Sequence, residues 1–218
     1  MGLLLAGQSQ TGKSTLILDI VKHTDRLFDS DIHQIVYVAP CASSADTEYV
    51  KELHLICREK NKKLIVYDKP PKAKDLREIF PHGPILCLLD DVSSYSDYPQ
   101  DLAELSSVLV HHLSITCIFS LQNPYQKVGK LDLVTVSRNI CGRFVFYQLN
   151  DFRMYQNLNA QIFPERKHFL VNCLTAAKEA GFNYVFINSH PHTRLKRQHT
   201  VYTGLFQESD PLFFNLYD

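Results

Sequence analysis

The sequence lacks an excess of either charge. Its 23 Lys and Arg residues balance 23 Asp and Glu residues, so the formal net charge is +0. This balance argues against a wholly basic protein that coats nucleic acid. It leaves room for a local basic strip, and residues 192–199 (HTRLKRQH) are the best candidate. A solvated strand edge or loop explains that segment equally well.

The sequence also lacks long apolar runs. None approaches the roughly 20 residues that a membrane-spanning helix needs, so no membrane segment is expected. The chain begins directly on a short apolar strand without a basic and apolar leader, and we therefore expect no signal peptide. With no linker, repeat or low-complexity segment, the 218 residues are expected to form one domain, residues 1–218.

The sequence also lacks closely spaced pairs of cysteines. The six cysteines are widely spread and include no C-x-x-C pair. Cys87, Cys117 and Cys141 lie in or beside apolar runs, where a thiol behaves as a small core residue. We therefore expect free thiols in a reducing compartment rather than a disulfide framework or a zinc site.

What the chain does contain is a phosphate-binding loop near its start. Residues 7–14 (GQSQTGKS) match G-x-x-x-x-G-K-[ST], the pattern of loops that bind the phosphates of ATP or GTP. Gly7 and Gly12 permit backbone conformations in which successive N–H groups turn inward. Lys13 places a positive charge against the β- and γ-phosphates, and the Ser14 hydroxyl binds Mg²⁺. The predicted nucleotide-binding residues are Gly7, Gln8, Ser9, Gln10, Thr11, Gly12, Lys13, Ser14 and Thr15.

The segments on either side of this P-loop support the match. Residues 3–6 (LLLA) predict a buried strand that ends where the loop begins. Residues 15–22 predict a helix whose N-terminus faces the phosphates. An ordinary glycine-containing turn is the alternative, and the strand before and helix after make it the weaker one.

A second informative stretch is residues 85–91 (ILCLLDD). Five consecutive apolar residues predict a buried central strand, and two carboxylates follow at its carboxyl end, where ligands bind in open α/β sheets. This is the form of a Walker B motif. Asp90 would hold Mg²⁺ through its water shell, and Asp91 would orient or deprotonate the attacking water. A capped exit from strand to loop is the alternative interpretation.

Gln122 follows another predicted strand, residues 115–121. An amide at this position can bridge the γ-phosphate and the attacking water, so Gln122 is the candidate sensor; without the other motifs it would indicate a turn before Pro124. The adjacent His111 and His112 could report on the nucleotide, although a structural role is favoured.

Strands and helices alternate along the chain, which is typical of a mostly parallel sheet covered on both faces. The predicted fold class is α/β, a P-loop NTPase three-layer sandwich of the RecA-like type. The predicted strands are residues 3–6, 34–39, 63–67, 85–89, 115–121, 142–147 and 183–188. The predicted helices are residues 15–22, 46–57, 75–80, 151–159 and 168–180, with another after residue 100. The aromatic tail, residues 205–218, is expected to pack back as a strand or loop.

With these motifs in place, the chain resembles the DNA-packaging ATPases of double-jelly-roll viruses and Maverick/Polinton-type elements, in the FtsK–HerA superfamily of P-loop motors. The resemblance spans about residues 1–205, and the ordered set is more specific than the P-loop alone. The residues that carry it are the P-loop, LLDD at 88–91, His111-His112, SLQN at 120–123, Asn139, Asp151, Phe163-Pro164 and YVFIN at 184–188.

The resemblance implies an ATP-hydrolysing motor that uses ATP and Mg²⁺ to move double-stranded DNA into a preformed capsid. It implies a homo-oligomeric ring and a viral capsid or portal-vertex protein as partner. The implied location is the host nucleus, a cytoplasmic viral factory or the virion, and not the secreted fraction.

The resemblance also implies that an arginine from the neighbouring subunit completes each site. Related sequences often carry this arginine where the present chain has Val134, so the pattern fails at that position. Arg138 and Arg143 are the nearest substitutes. The predicted catalytic residues are Lys13, Asp91, Gln122 and Arg138, with Arg143 as the alternative to Arg138.

Two other functional classes remain open from the residues alone. A P-loop kinase would transfer the phosphoryl group to a small substrate, but the acidic pair and the strand-ending Gln favour water as acceptor. A nucleotide-gated DNA-binding protein would bind without turnover, but degenerate NTPases often lose the residues that are intact here. For DNA contact we expect Arg194, Lys196 and Arg197, or else the 92–100 loop or Lys127 and Lys130.

Overall fold

The computed structural model describes residues 2–40, 47–81, 83–109, 115–148, 150–194, 200–207 and 210–216. The strands in these residues are β1 Gly2–Ala6, β2 Gln34–Val38, β3 Lys63–Tyr67, β4 Ile85–Leu89, β5 Ile115–Leu121, β6 Lys127–Val128, β7 Leu131–Asp132, β8 Gly142–Phe146, β9 Tyr184–Asn188, β10 Thr200–Thr203 and β11 Leu212–Asn215. The α-helices are α1 Lys13–Lys22, α2 Thr24–Leu27, α3 Glu48–Glu59, α4 Ala73–Ile79, α5 Pro99–Glu104, α6 Leu133–Arg138, α7 Phe152–Ile162 and α8 Phe169–Glu179. A 3₁₀ turn spans Val92–Tyr95, and a π-helical segment, Leu105–Leu109, continues α5.

Nine of these strands form one sheet in the order β11-β10-β9-β8-β1-β5-β4-β2-β3. Every neighbouring pair from β8 to β3 is parallel. This part confirms the predicted mostly parallel α/β sheet. The pairs from β8 outward to β11 are antiparallel, which the sequence analysis did not predict.

The change of strand direction after β8 follows from the connection. A single crossover helix brings the chain back to the edge where a parallel strand starts. Two helices, α7 and α8, lie between β8 and β9 and contact each other. The second helical pass returns the chain to the edge where β8 ends, so β9 runs in the opposite direction.

The sheet divides the hydrophobic core into two layers. Because side chains alternate along a strand, Leu4 and Ala6 of β1 lie in one cluster and Leu3 and Leu5 in the other. The cluster around Leu3 and Leu5 takes its helical residues from α1 and α3, and the other cluster takes its helical residues from α4 to α8. The result is the predicted three-layer sandwich.

Parallel pairing aligns three strand ends at one edge of this sheet. In the register of β1 with β5, Ala6 pairs with Leu121, and in that of β4 with β5, Leu89 pairs with Phe119. The P-loop, Asp90 and Gln122 follow these strands directly. Residues far apart in sequence are thereby brought to one place.

Several smaller elements differ from the sequence prediction. The two-residue strands β6 and β7, helix α6 and strand β10 were not predicted, because such short segments carry too few residues to show a periodicity. The tail, expected to pack back as a strand or loop, contains strand β11. His111, His112, Lys196, Arg197 and Cys41 lie outside the described residues.

Two further findings concern the composition-based expectations. The five described cysteines, Cys57, Cys87, Cys117, Cys141 and Cys173, are free thiols. Across the described residues, the helices are all too short or too polar to cross a membrane.

Candidate active site

The shape of the P-loop depends on its two glycines. Gly12 has φ 100°, a left-handed conformation that residues with a side chain rarely adopt. At Gly7, an added Cβ would lie 2.6 Å from Cβ of Phe146 on β8. Gly7 therefore lets β8 approach the loop, and Gly12 lets the loop turn into α1. Gln10 is also left-handed, with φ 65°.

Lys13 is the first residue of α1, and its side chain folds over the loop. Its Nζ donates to the carbonyl oxygens of Gly7 and Gln8, at 2.5 Å and 2.6 Å. Burial lowers the pKa of Lys13, while the negative charges of Asp90 and Asp91 act in the opposite direction. The ammonium group is therefore bonded to the loop and attracted by the carboxylates of Asp90 and Asp91.

The two carboxylates after β4 have different surroundings. Asp90 accepts the backbone N–H of Asp91 through Oδ1 at 3.0 Å, and Tyr37 donates to its Oδ2 at 3.4 Å. Asp91 has a left-handed backbone, with φ 43°, and its Oδ1 accepts a hydrogen bond from Ser93 Oγ at 2.6 Å. Aspartate is among the residues that tolerate this conformation. The turn directs consecutive carboxylates to different partners.

These groups border one cavity of about 390 Å³ at the carboxyl edge of the sheet. The cavity brings together six of the nine predicted nucleotide-binding residues with Asp90, Asp91 and Gln122. Its lining residues are Ser9, Gln10, Gly12, Lys13, Ser14, Thr15, Asp90, Asp91, Ser120 and Gln122. We call it the phosphate cavity.

Ser120 is the lining residue that the sequence analysis missed as a site residue. It is fully buried, and among the described residues its Oγ has no hydrogen-bond partner. It lies one position beyond the Leu89–Phe119 pair, beside Asp90, which directly follows β4. The alternation of side chains along a strand could have identified Ser120 as a site residue, because Ser120 lies two residues before Gln122 and is therefore expected on the same face. A lone buried serine in an apolar strand did not stand out in the sequence.

A second cavity of about 310 Å³ adjoins the first and shares Gly12 and Thr15 with it. Three aromatic side chains border it, from β8, from β9 and from the turn before β9. We call it the aromatic cavity. Its lining residues are Thr11, Gly12, Thr15, Leu16, Asp19, Phe146, Gly181, Phe182, Asn183, Tyr184 and Gln207.

Three predicted P-loop residues lie outside the phosphate cavity. Gly7 and Gln8 accept from Lys13 through their carbonyl groups. Thr11 lines the aromatic cavity instead, and its hydroxyl donates to Gln8 O at 2.8 Å. The N–H of Gln8 donates to Gln148 Oε1 at 2.7 Å. These residues therefore support the conformation of the loop through hydrogen bonds outside the phosphate cavity.

The two candidate arginines are at the opposite edge of the sheet. Arg138 is exposed at the end of α6, shortly before β8 begins. The length of β8 separates it from the P-loop of its own chain, roughly 16 Å at 3.3 Å per residue. Arg138 therefore does not reach the phosphate cavity of its own chain, and its predicted catalytic role requires the site of another subunit.

Arg143 is not available for that role. Its side chain is 7% exposed and donates to Ser189 Oγ at 2.6 Å and to Ser137 O at 3.1 Å. Burial lowers the pKa of its guanidinium group from the ordinary value. The structure therefore favours Arg138 over Arg143 for this predicted role, because the polar end of Arg143 is held inside its own fold.

The sequence matches no protein-family model, and comparison with curated protein sequences gives no match. Solved structures do resemble the fold. The genome packaging NTPase B204 from Sulfolobus turreted icosahedral virus 2, in complex with AMP, is similar with a TM-score of 0.53 and 16% identity, covering 86% of this chain and 92% of that one. The DNA-packaging ATPase B204 from Sulfolobus turreted icosahedral virus is similar with a TM-score of 0.52, at the same identity and coverage. The chain thus has the mostly parallel α/β fold seen in these viral genome-packaging NTPases.

Proposed function

We propose that this chain binds ATP with Mg²⁺ and hydrolyses it to ADP and inorganic phosphate. The observation that carries the proposal is the phosphate cavity. It combines the Lys13 ammonium and Ser14 hydroxyl of a P-loop with the Asp90 and Asp91 carboxylates and the Gln122 amide. This combination supplies the positive charge, the metal ligands and the water-positioning groups that phosphoryl transfer requires.

The nucleotide would span both cavities. The phosphates would lie in the phosphate cavity, where the N-terminus of α1 favours anions. The nucleoside would enter the aromatic cavity, because the two cavities meet at Gly12 and Thr15. Phe182 and Tyr184 border that cavity and offer flat apolar faces to a base.

The residues present fit a magnesium ion. Ser14 and Asp90 offer hydroxyl and carboxylate oxygens, the ligands that Mg²⁺ prefers, and both line the phosphate cavity. In the part of the chain that is described, no group of three or more His, Cys, Asp or Glu side chains could hold a metal by itself. Phosphate oxygens and waters would therefore complete the coordination. When bound, the ion neutralises charge on the phosphate oxygens.

Two side chains would act on the attacking water, and Lys13 would act on the phosphates. Asp91 would accept its proton or orient it, and Gln122 would hold it in line with the γ-phosphate. Lys13 would exchange its bonds to the loop carbonyls for bonds to phosphate oxygens. The carbonyls of Gly7 and Gln8 already hold its ammonium group, and Lys13 lines the cavity.

We further propose that hydrolysis drives double-stranded DNA into a capsid. The fold shared with viral genome-packaging NTPases supports this, as does the exposed Arg138 at the edge opposite its own site. A ring of identical subunits would place Arg138 of one subunit at the phosphate cavity of the next. A capsid or portal-vertex protein would then anchor the ring, in an infected host cell.

DNA contact would be electrostatic and independent of sequence, because a packaging motor must pass any base order. Arg194 is exposed among the described residues of the basic strip. Replacing Arg194, Lys196 and Arg197 together with alanine should weaken DNA binding equally across sequences and flatten its salt dependence. An unchanged salt slope would move the contact to the 92–100 loop or to Lys127 and Lys130.

Phosphate release with and without duplex DNA tests the proposed function. We expect ATP-dependent release that DNA stimulates and that Lys13→Ala abolishes. Release of ADP that depends on a small acceptor would instead identify a kinase. ATP binding without turnover would identify a nucleotide-gated binding protein.

A further inference from the structure

The loop that carries Gln122 is held by the next residue, Asn123. Its Nδ2 donates to Asp151 Oδ2 at 2.5 Å, and its Oδ1 accepts the backbone N–H of Tyr125 at 2.8 Å. Both polar atoms of this amide are therefore engaged. The first bond reaches across 28 positions of sequence, and the second closes the turn through Pro124.

Asp151 serves two elements at once. One carboxylate oxygen, Oδ2, accepts from Asn123, and the other, Oδ1, accepts the backbone N–H of Met154 at 3.1 Å. The second contact makes Asp151 the N-cap of α7. A capping aspartate satisfies an unpaired N–H group in the first helical turn and interacts favourably with the helix dipole. The loop after β5 is thereby fastened to the start of a helix.

The start of α7 is in turn connected to the P-loop through the side chains of Tyr155 and Gln148. Tyr155 donates to Phe146 O at 2.8 Å and accepts the backbone N–H of Gln148 at 2.6 Å. Gln148 Oε1 accepts the N–H of Gln8 at 2.7 Å. Tyr155 and Gln148 are 2% and 7% exposed. Burial raises the pKa of the Tyr155 phenol, which therefore remains a hydrogen-bond donor near neutral pH.

We propose that Asp151 is a positioning residue that holds Gln122 at the phosphate cavity through Asn123. The same hydrogen bonds connect the Gln122 loop to the P-loop through the first turn of α7. This inference rests on the proposed role of Gln122 in hydrolysis. A side chain that must align a water molecule needs this support, because a displacement of about 1 Å can cost roughly a hundredfold in rate.

Exchanging the two partners gives a sharp test. Asp151→Asn keeps an oxygen for the Met154 N–H but turns an amide N–H₂ group toward the N–H₂ group of Asn123. Asn123→Asp sets two carboxylates against each other. The double variant, Asn123→Asp with Asp151→Asn, restores one donor and one acceptor and retains the bonds to Tyr125 and Met154.

We expect each single variant to lower kcat by roughly tenfold to a hundredfold with little change in the affinity for ATP. The double variant should recover most of that kcat. Asp75→Asn is the matched control, because Asp75 also lies in the first turn of a helix, α4, and accepts a backbone N–H, from Lys72 at 3.3 Å. Its kcat should be unchanged.

Thermal unfolding of every variant separates positioning from stability. Recovery of the unfolding temperature in the double variant without recovery of kcat would overturn the inference. So would full kcat in Asp151→Asn while Gln122→Ala loses turnover, or normal turnover in Gln122→Ala itself. None of these outcomes bears on ATP hydrolysis as such, which fails separately if Lys13→Ala still hydrolyses ATP.

Discussion

Arg143→Ala should destabilise the fold without removing a residue of the active site. In the structure the guanidinium group of Arg143 is buried beside β8 and bonded to Ser189 and Ser137. A residue held in this way supports the packing between β8 and the segments next to it. A residue that completes a neighbouring subunit's site would have to be exposed.

The expected loss of stability follows from these contacts. Two hydrogen bonds from a charged donor are worth about 1.5–3 kcal/mol each. Neither acceptor is left unpaired, because Ser189 Oγ still donates to Cys141 O and Ser137 O still accepts from the N–H of Ile140. Removing a buried charge whose Nε has no hydrogen-bond partner in the described residues offsets part of the loss. We expect a net decrease of about 2–3 kcal/mol in the free energy of unfolding.

Calorimetry and mixing of variants test this reasoning together. For a chain of this size the decrease corresponds to a Tm lower by roughly 4–12 °C. Arg143→Met fills much of the same volume without the charge, and it should lose less stability and keep its ATPase activity. A structural role for Arg143 is refuted if Arg143→Met unfolds at the normal temperature, loses turnover, and regains it when mixed with Lys13→Ala chains.

Lys13→Ala should abolish phosphate release and sharply weaken binding of a fluorescent ATP analogue, since the sequence contains no second phosphate-binding loop; near-normal turnover would remove the basis of the assignment. Asp91→Asn should keep ATP and Mg²⁺ binding and lose about a hundredfold or more in turnover, whereas Asp90→Asn should also weaken Mg²⁺ binding in a metal titration; equal Mg²⁺ affinity in both variants would contradict this division. Ser120→Ala should lower turnover about tenfold, equivalent to one hydrogen bond, while Tm stays level or rises because the hydroxyl has no partner among the described residues; unchanged turnover would deny Ser120 a role. Arg138→Ala mixed with Lys13→Ala should partly restore the activity that each lacks alone, and the absence of rescue with both chains folded would count against an arginine supplied by a neighbour.

The sequence by itself determined the parts of the site that are continuous in the chain. The P-loop, residues 7–14, turns into α1 through the left-handed Gly12 and carries its own lysine and serine. The strands β4 and β5 were predicted with their observed bounds, because short runs of buried apolar residues mark them and polar residues end them. These features depend on local sterics and on periodicity, which neighbouring residues are sufficient to specify.

The tertiary structure alone decided which distant residues meet. Strand order places β1 beside β5, and β5 beside β4, so that Ser120 lies next to Asp90 with an unpartnered buried hydroxyl among the described residues. Thr11 and Gln207 line the same aromatic cavity, and Asn123 donates a hydrogen bond to Asp151. Neither arrangement leaves a pattern in the local sequence. Arg138 and Arg143 are five positions apart, yet one is exposed and the other is buried. Burial and long-range pairing depend on how strands and helices pack over the whole domain, and for that reason the residues next to each arginine could not distinguish them.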